Sequence, residues 1–157
     1  SLADAIVFHN SQRNLEVGAA NPTKALVDSY LMKDGLPMDK SPLYQAPTNS
    51  VDVFTNRDKR LSESVWKRGD PYIGSAPVFN ISPLNFHRTG FGNRKYSNIT
   101  DWTNQRSFID YPIIRYAEVL LNFAEATFEL NGNISDADLD LSINLLRARG
   151  EIANLTN

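Results

Sequence analysis

The most regular alternation of apolar and polar positions lies in the last third of the chain. Ala117, Leu120, Leu121, Ala124 and Phe128 recur at i, i+3, i+4, i+7 and i+11, which places them on one face of an α-helix. Asn131-Gly132-Asn133 interrupts the pattern. Ser135 then offers an N-cap, with Asp138 three residues on in a capping-box position. Ala137, Leu141, Leu145 and Ala148 form the next apolar face, and Gly150 ends it. The spacing predicts two antiparallel helices, about 114–130 and 136–149, joined by a tight turn. Their length and small residues resemble one tetratricopeptide-like pair.

The first third carries an apolar run, Ala5-Ile6-Val7-Phe8, and then a second helix signal. Asn21-Pro22 reads as an N-cap followed by proline at the first helical position. Leu26, Val27, Tyr30 and Leu31 follow at helical spacing and Gly35 is a natural stop. A helix over about 22–33 is expected. Between these zones, Pro37, Pro42, Pro47, Pro71, Pro77 and Pro83 punctuate a stretch in which no helical period persists. Its short apolar runs, 61–66 and 78–81, read as brief strands or turns. A loop region of that length inside a compact domain is usually functional. The expected fold class is mainly α: one tetratricopeptide-like helical pair and a long loop-rich segment with few short strands. The expected organisation is one domain, with 1–35 a lead-in and helix, 36–110 a loop-rich ligand region and 111–157 the helical pair.

Composition narrows the function classes. Of 157 residues, 41% are hydrophobic and 22% charged, with a net charge of −2, which is a globular balance. Near-neutral charge argues against nucleic acid, which needs clustered Lys and Arg. The densest basic stretch, Arg88 to Lys95, is short and carries glycines. There is no cysteine, so disulfides, thiolate metal sites and cysteine nucleophiles are excluded within this sequence. No stretch approaches the ~20 apolar residues of a membrane-spanning helix.

Catalytic chemistry finds no constellation. Glu118 and Glu125 are seven residues apart on one predicted helix, ~10.5 Å along its axis. They point the same way and cannot flank a glycosidic bond. Arg115, Glu118 and Glu125 are therefore read as structural, forming ion pairs and capping loops. Asn56-Arg57-Asp58 suits a turn in which the aspartate bonds its own backbone. His9 and His87 are isolated, with no metal-ligand spacing around them. Gly90-x-Gly92 follows no clear strand and is no dinucleotide loop. Asn98-Ile99-Thr100 and Asn133-Ile134-Ser135 match the glycosylation sequon by pattern only. No cofactor is implied.

Binding chemistry is better represented. Trp66, Tyr72, Phe79, Phe86, Phe91, Tyr96 and Trp102 populate the loop zone. Aromatic rings can stack on sugar C–H faces while a polar edge stays wet. Trp66, Tyr72 and Trp102 stand out as ligand contacts because polar, Gly and Pro residues surround them. Tyr96 and His87 complete the candidate set, His87 as a possible rim residue. Tyr116, Phe123 and Phe128 follow the helix pattern and read as core.

A family resemblance then joins these pieces. The run Asp110-Tyr111-Pro112-Ile113-Ile114-Arg115-Tyr116-Ala117-Glu118-Val119-Leu120-Leu121-Asn122-Phe123-Ala124-Glu125-Ala126 resembles the most recognisable stretch of the SusD/RagB family. Ile143-Asn144-Leu145-Leu146-Arg147-Ala148-Arg149-Gly150 is similar to its companion motif. Asn21-Pro22-Thr23, Leu26 to Tyr30, Lys33-Asp34-Gly35, Asn56 to Leu61, Thr89-Gly90-Phe91 and Arg94-Lys95-Tyr96 match the family's upstream segments in order. The family's N-terminal helical repeats, its lipid-attachment cysteine and the helix after Arg149 have no counterpart, so the chain is expected to be an internal fragment. The resemblance implies a non-enzymatic, lipid-anchored outer-membrane protein at the cell surface. Such a protein covers a SusC-type TonB-dependent transporter and hands it oligosaccharides, or peptides in some members. The rival readings are peptide capture, a tetratricopeptide-type adaptor for protein partners, and a hydrolase. The predicted helical pair also carries Tyr116, Val119, Phe123, Leu139, Ile143 and Leu146 outside its two main stripes. Its outer face is expected to be covered by 36–110, by another copy, or by another piece of the same protein.

Overall fold

The computed structural model describes residues 21–71, 78–80, 88–104 and 112–157. Helix dominates among them, and the strands are two residues each, as the mainly α reading expects. The described chain forms two compact units, one from 21–30, 45–55, 61–71, 78–80 and 88–104, the other from 31–44, 56–60 and 112–157. The apolar run Ala5 to Phe8 lies outside the described residues.

In the first unit, helix α1 (Lys24–Ser29) is shorter than the periodicity suggests. Its N-cap is Thr23, not Asn21, and the Thr23 hydroxyl accepts the Leu26 N–H at 3.1 Å. Tyr30 turns extended at φ −65°, ψ 139°. The helix stops there because the next residues are used elsewhere: in the second unit Leu31 O accepts the Asp58 N–H at 2.9 Å and Met32 bridges Arg57. Those tertiary bonds override the weak preference for another helical turn. Helix α2 (Lys59–Ser64) leads into strand β1 (Val65–Trp66), which pairs antiparallel with β2 (Gly92–Asn93), Trp66 opposite Gly92. The apolar run 61–66 is thus part helix and part strand. Val27, Leu61 and Val65 are buried together, with Tyr30, Val53, Phe54 and Phe91 packed around them. Helix α3 (Ile99–Asn104) follows.

The second unit holds the helical pair. Helix α4 (Tyr116–Asn131) ends at Gly132, whose φ of 70° lets its N–H reach Phe128 O at 2.7 Å. Helix α5 (Asp136–Asp140) begins at Ser135, whose hydroxyl accepts the Asp138 N–H at 3.1 Å as the motif predicts. The expected single helix over 136–149 is in fact two. Ser142 (φ −134°, ψ −93°) breaks it before helix α6 (Ile143–Arg149), and the Ser142 hydroxyl donates to Asp138 O at 2.5 Å.

That break rotates the predicted apolar face. Ala137, Leu141, Leu145 and Ala148 are all exposed, while Leu139, Ser142, Asn144 and Arg147 are buried. On α4 the inner face is narrower than expected: Leu120 and Ala124 are buried, Ala117 is half-buried, and Leu121 and Phe128 are exposed. Tyr116 and Phe123, read as core from the pattern, are 70% and 44% exposed. Leu139 is buried and Ile143 and Leu146 are half-buried, whereas Tyr116, Val119 and Phe123 on α4 are exposed.

Candidate functional site

The motif residues of the second unit converge on one hydrogen-bonded junction. Gly35 takes φ 80°, and a Cβ there would lie 1.8 Å from Arg147 Nη2. The absent side chain makes room for the guanidinium, which donates from Nη2 to Gly35 O at 3.3 Å and from Nε to Ala153 O at 2.5 Å. Burial, reinforced by the charge of Arg60, holds Arg147 below the ordinary arginine pKa, and Asp58 opposes that shift. Ala153 N donates to Lys33 O at 2.8 Å, and Lys59 N to Gly150 O at 2.9 Å. Asn144 accepts the Leu155 N–H at 2.8 Å and donates to Leu155 O at 3.0 Å and Asp140 Oδ1 at 2.7 Å. Asp34 binds its own turn, taking the Leu36 N–H at 3.1 Å and the Ser41 hydroxyl at 2.5 Å.

Asp58 completes the junction. It is 2% exposed. Its Oδ1 accepts the Arg60 N–H at 2.8 Å, the side-chain-to-backbone turn expected of this run. The Arg60 guanidinium closes on both of its oxygens, with Nε at 3.0 and 2.9 Å. Asn56, at φ 54°, supplies the tight bend before it. Most of these bonds end on backbone groups, so these side chains fasten loops together. Arg115, Glu118 and Glu125 do not share this role: all three are exposed, and no ion pair joins them among the described residues.

The aromatic residues gather in the first unit. Trp66 and Phe79 are each 4% exposed and stack with centroids 6.0 Å apart at 21°. Trp102, on α3, is half-buried and packs against them. The Arg94 guanidinium lies 4.8 Å from the Trp66 centroid, within cation–π range. Asn98 caps α3 by accepting the Thr100 N–H at 2.8 Å and the Asp101 N–H at 3.3 Å. Tyr96, half-buried, follows β2 at a left-handed φ of 62°, an unusual conformation for a bulky side chain.

Of the five sequence candidates, the structure brings Trp66 and Trp102 together and sets Tyr96 in the same unit. Tyr72 and His87 lie outside the described residues. Trp66 is corrected as a platform: a ring that is 4% exposed has no face for a sugar, and its surface is spent on Phe79, Trp102 and Arg94. Phe79, Arg94 and Asp70 belong to the cluster although none of them was among the five candidates. Arg94 stood in the basic stretch. Its charge goes inward, to Asp70 Oδ2 at 3.1 Å and Ser62 O at 2.9 Å. Among the described residues no cluster of three His, Cys, Asp or Glu forms a metal site, and no helix is long and apolar enough to cross a membrane.

The model of the SusD family matches residues 8–157. No curated protein matches. The crystal structure of a SusD-like carbohydrate binding protein from Bacteroides fragilis NCTC 9343 is similar, with a TM-score of 0.62 and 29% identity. The match covers 87% of this chain and 29% of that one, so the chain spans less than a third of that protein's length.

Proposed function

The chain belongs to the SusD family, and from that premise we propose that it is part of a non-catalytic, cell-surface protein that captures oligosaccharides for a SusC-type TonB-dependent transporter. In this reading residues 1–157 form part of one SusD-like domain, held at the outer membrane by a lipid anchor elsewhere in the protein. The observation that carries the proposal is the family match over 8–157, and the likeness to a carbohydrate binding protein at 29% identity supports the choice of ligand class. The chemistry of the first unit agrees with it. Trp102 and Tyr96 are half-buried, and an aromatic side chain left partly open suits stacking on sugar C–H faces. The helical pair, read as tetratricopeptide-like, supplies the scaffold. The deciding experiment is a binding screen of the full-length protein against soluble polysaccharides and peptides by affinity electrophoresis and calorimetry. Saturable binding of a glycan that is recovered unchanged is the expected result. Binding of peptides alone would overturn the ligand class. Glycan hydrolysis lost on changing one acidic residue would overturn the non-catalytic role.

A further inference from the structure

We propose that Arg94 is a positioning residue for the ligand face of Trp102, acting through the Trp66–Phe79 pair without touching ligand; this rests on the glycan-binding reading above. Arg94 ties together separate pieces of the first unit. Its backbone N–H donates to Ser64 O at 2.9 Å, and its Nη1 to Ser62 O at 2.9 Å, fixing it to α2. The same Nη1 reaches Asp70 Oδ2 at 3.1 Å, and the guanidinium covers Trp66 at 4.8 Å. Asp70 is itself pinned by the Lys67 N–H at 3.0 Å. It carries Phe79, whose N–H donates to Asp70 O at 2.9 Å while Gly69 N donates to Phe79 O at 3.0 Å. One cation therefore sets both rings on which Trp102 rests.

Trp102 needs that support. Its helix has six residues, too short to hold a fixed orientation without tertiary packing. The Arg94 charge is already matched by the Asp70 carboxylate and the Ser62 carbonyl, so Arg94 is committed to the protein and not to a ligand anion.

The chain has two tryptophans, which makes the coupling visible by fluorescence. In full-length protein carrying Trp66→Phe, the emission that disappears on a further Trp102→Phe change reports Trp102. Arg94→Met in that background should red-shift the emission and increase its quenching by acrylamide. Asp70→Asn, a milder change, should shift both in the same direction. With Trp66 restored, Arg94→Met should weaken binding of a neutral and of a uronate-bearing soluble glycan alike by about tenfold, equivalent to about 1.4 kcal/mol. In a Trp102→Ala background the same substitution should cost less than about twofold, because the interaction it acts through is gone. Unchanged quenching with glycan binding intact overturns the role of Arg94 alone. So does an Arg94 effect that persists without Trp102, or one confined to the acidic glycan, which would mark direct contact. If no glycan binds the unaltered protein, the functional reading fails and the ligand role falls with it.

Discussion

Gly150→Ala gives a test in which backbone and packing arguments predict opposite signs. Gly150 has φ −76° and ψ −5°, which alanine adopts without strain. Considered by conformation alone, alanine should stabilise by about 0.4–1 kcal/mol, because it narrows the unfolded ensemble. The packing says otherwise. A Cβ at this position would lie 2.8 Å from Asp58 Oδ1, and 3.2 Å from Asp58 Cγ and Arg60 Nε. Asp58 cannot easily retreat, because it is 2% exposed and held by the Arg60 backbone and guanidinium. Overpacking a tight site costs about 1–3 kcal/mol, and weakening a bond to a charged partner adds to that. The expected net is a loss of about 1–3 kcal/mol, or roughly 2–12 °C in melting temperature for a chain of this size. Gly132→Ala is the contrasting control. It has open space around it but φ 70°, so its cost of about 1–2 kcal/mol is conformational only. In an Asp58→Ala background the Gly150→Ala penalty should vanish while the Gly132→Ala penalty stays. The assay is thermal and urea unfolding of the two single glycine variants, of Asp58→Ala, and of the two double variants. A higher melting temperature for Gly150→Ala in the unaltered background, or a penalty that survives removal of Asp58, would refute the close-packing account.

Other outcomes follow from the same geometry. Arg147→Met should destabilise by about 3 kcal/mol, since it removes two hydrogen bonds from a charged donor and strands the carbonyls of Gly35 and Ala153; urea midpoints measure it. Ser135→Ala should cost about 1 kcal/mol through loss of the α5 cap, read in the same assay. Hydrogen bonds from the Thr48 side chain, then its backbone, hold the Asp52 carboxyl below its ordinary value of 3.8. A carboxyl whose folded pKa is depressed adds stability that is fully present above the unfolded pKa and is lost as pH falls through the folded value. Asp52→Asn should therefore flatten the fall in melting temperature below about pH 4 and leave the neutral-pH dependence unchanged. An equally steep acid limb in the variant would sink that assignment.

The local signals were legible where one residue decides the outcome. Ser135 as a cap, Gly132 as a left-handed stop and Asp58 as a turn former all act through bonds to their own neighbours. The helical character of 116–131 followed from its apolar spacing. What failed was the phase of the last helix, because hydropathy assigns Leu141 and Leu145 to the core and Ser142, Asn144 and Arg147 to solvent. The structure reverses this. The polar side chains go inside because backbone groups meet them there: Asp138 O for Ser142, Leu155 for Asn144, and Ala153 O with the distant Gly35 O for Arg147, partners that a periodicity count cannot register. The end of α1 was misplaced for the same reason, as the carbonyl of Leu31 is claimed by Asp58, 27 residues on. Trp66 was misread because polar sequence neighbours suggested a wet ring, whereas Phe79 and Arg94 cover it from elsewhere in the chain.

These misreadings separate two kinds of information carried by the motifs. The residues by which the family is recognised in the second unit, Gly35, Asp58, Asn144, Arg147 and Gly150, bind carbonyls and amides or clear space for those that do. Backbone groups are the same whatever side chains surround them, so such a junction does not depend on the ligand and carries no preference for one. Arg94 extends that logic into the first unit, where a motif residue anchors two buried rings through Ser62, Ser64 and Asp70. On the glycan-binding reading proposed here, ligand choice rests on side chains that are held in place but left partly open, and among the described candidates Trp102 and Tyr96 are half-buried. On that reading the family is legible in the chain while the ligand is not. The residues that identify it are committed to the fold, and those that would meet a ligand are few, half-exposed and fixed by partners distant in sequence.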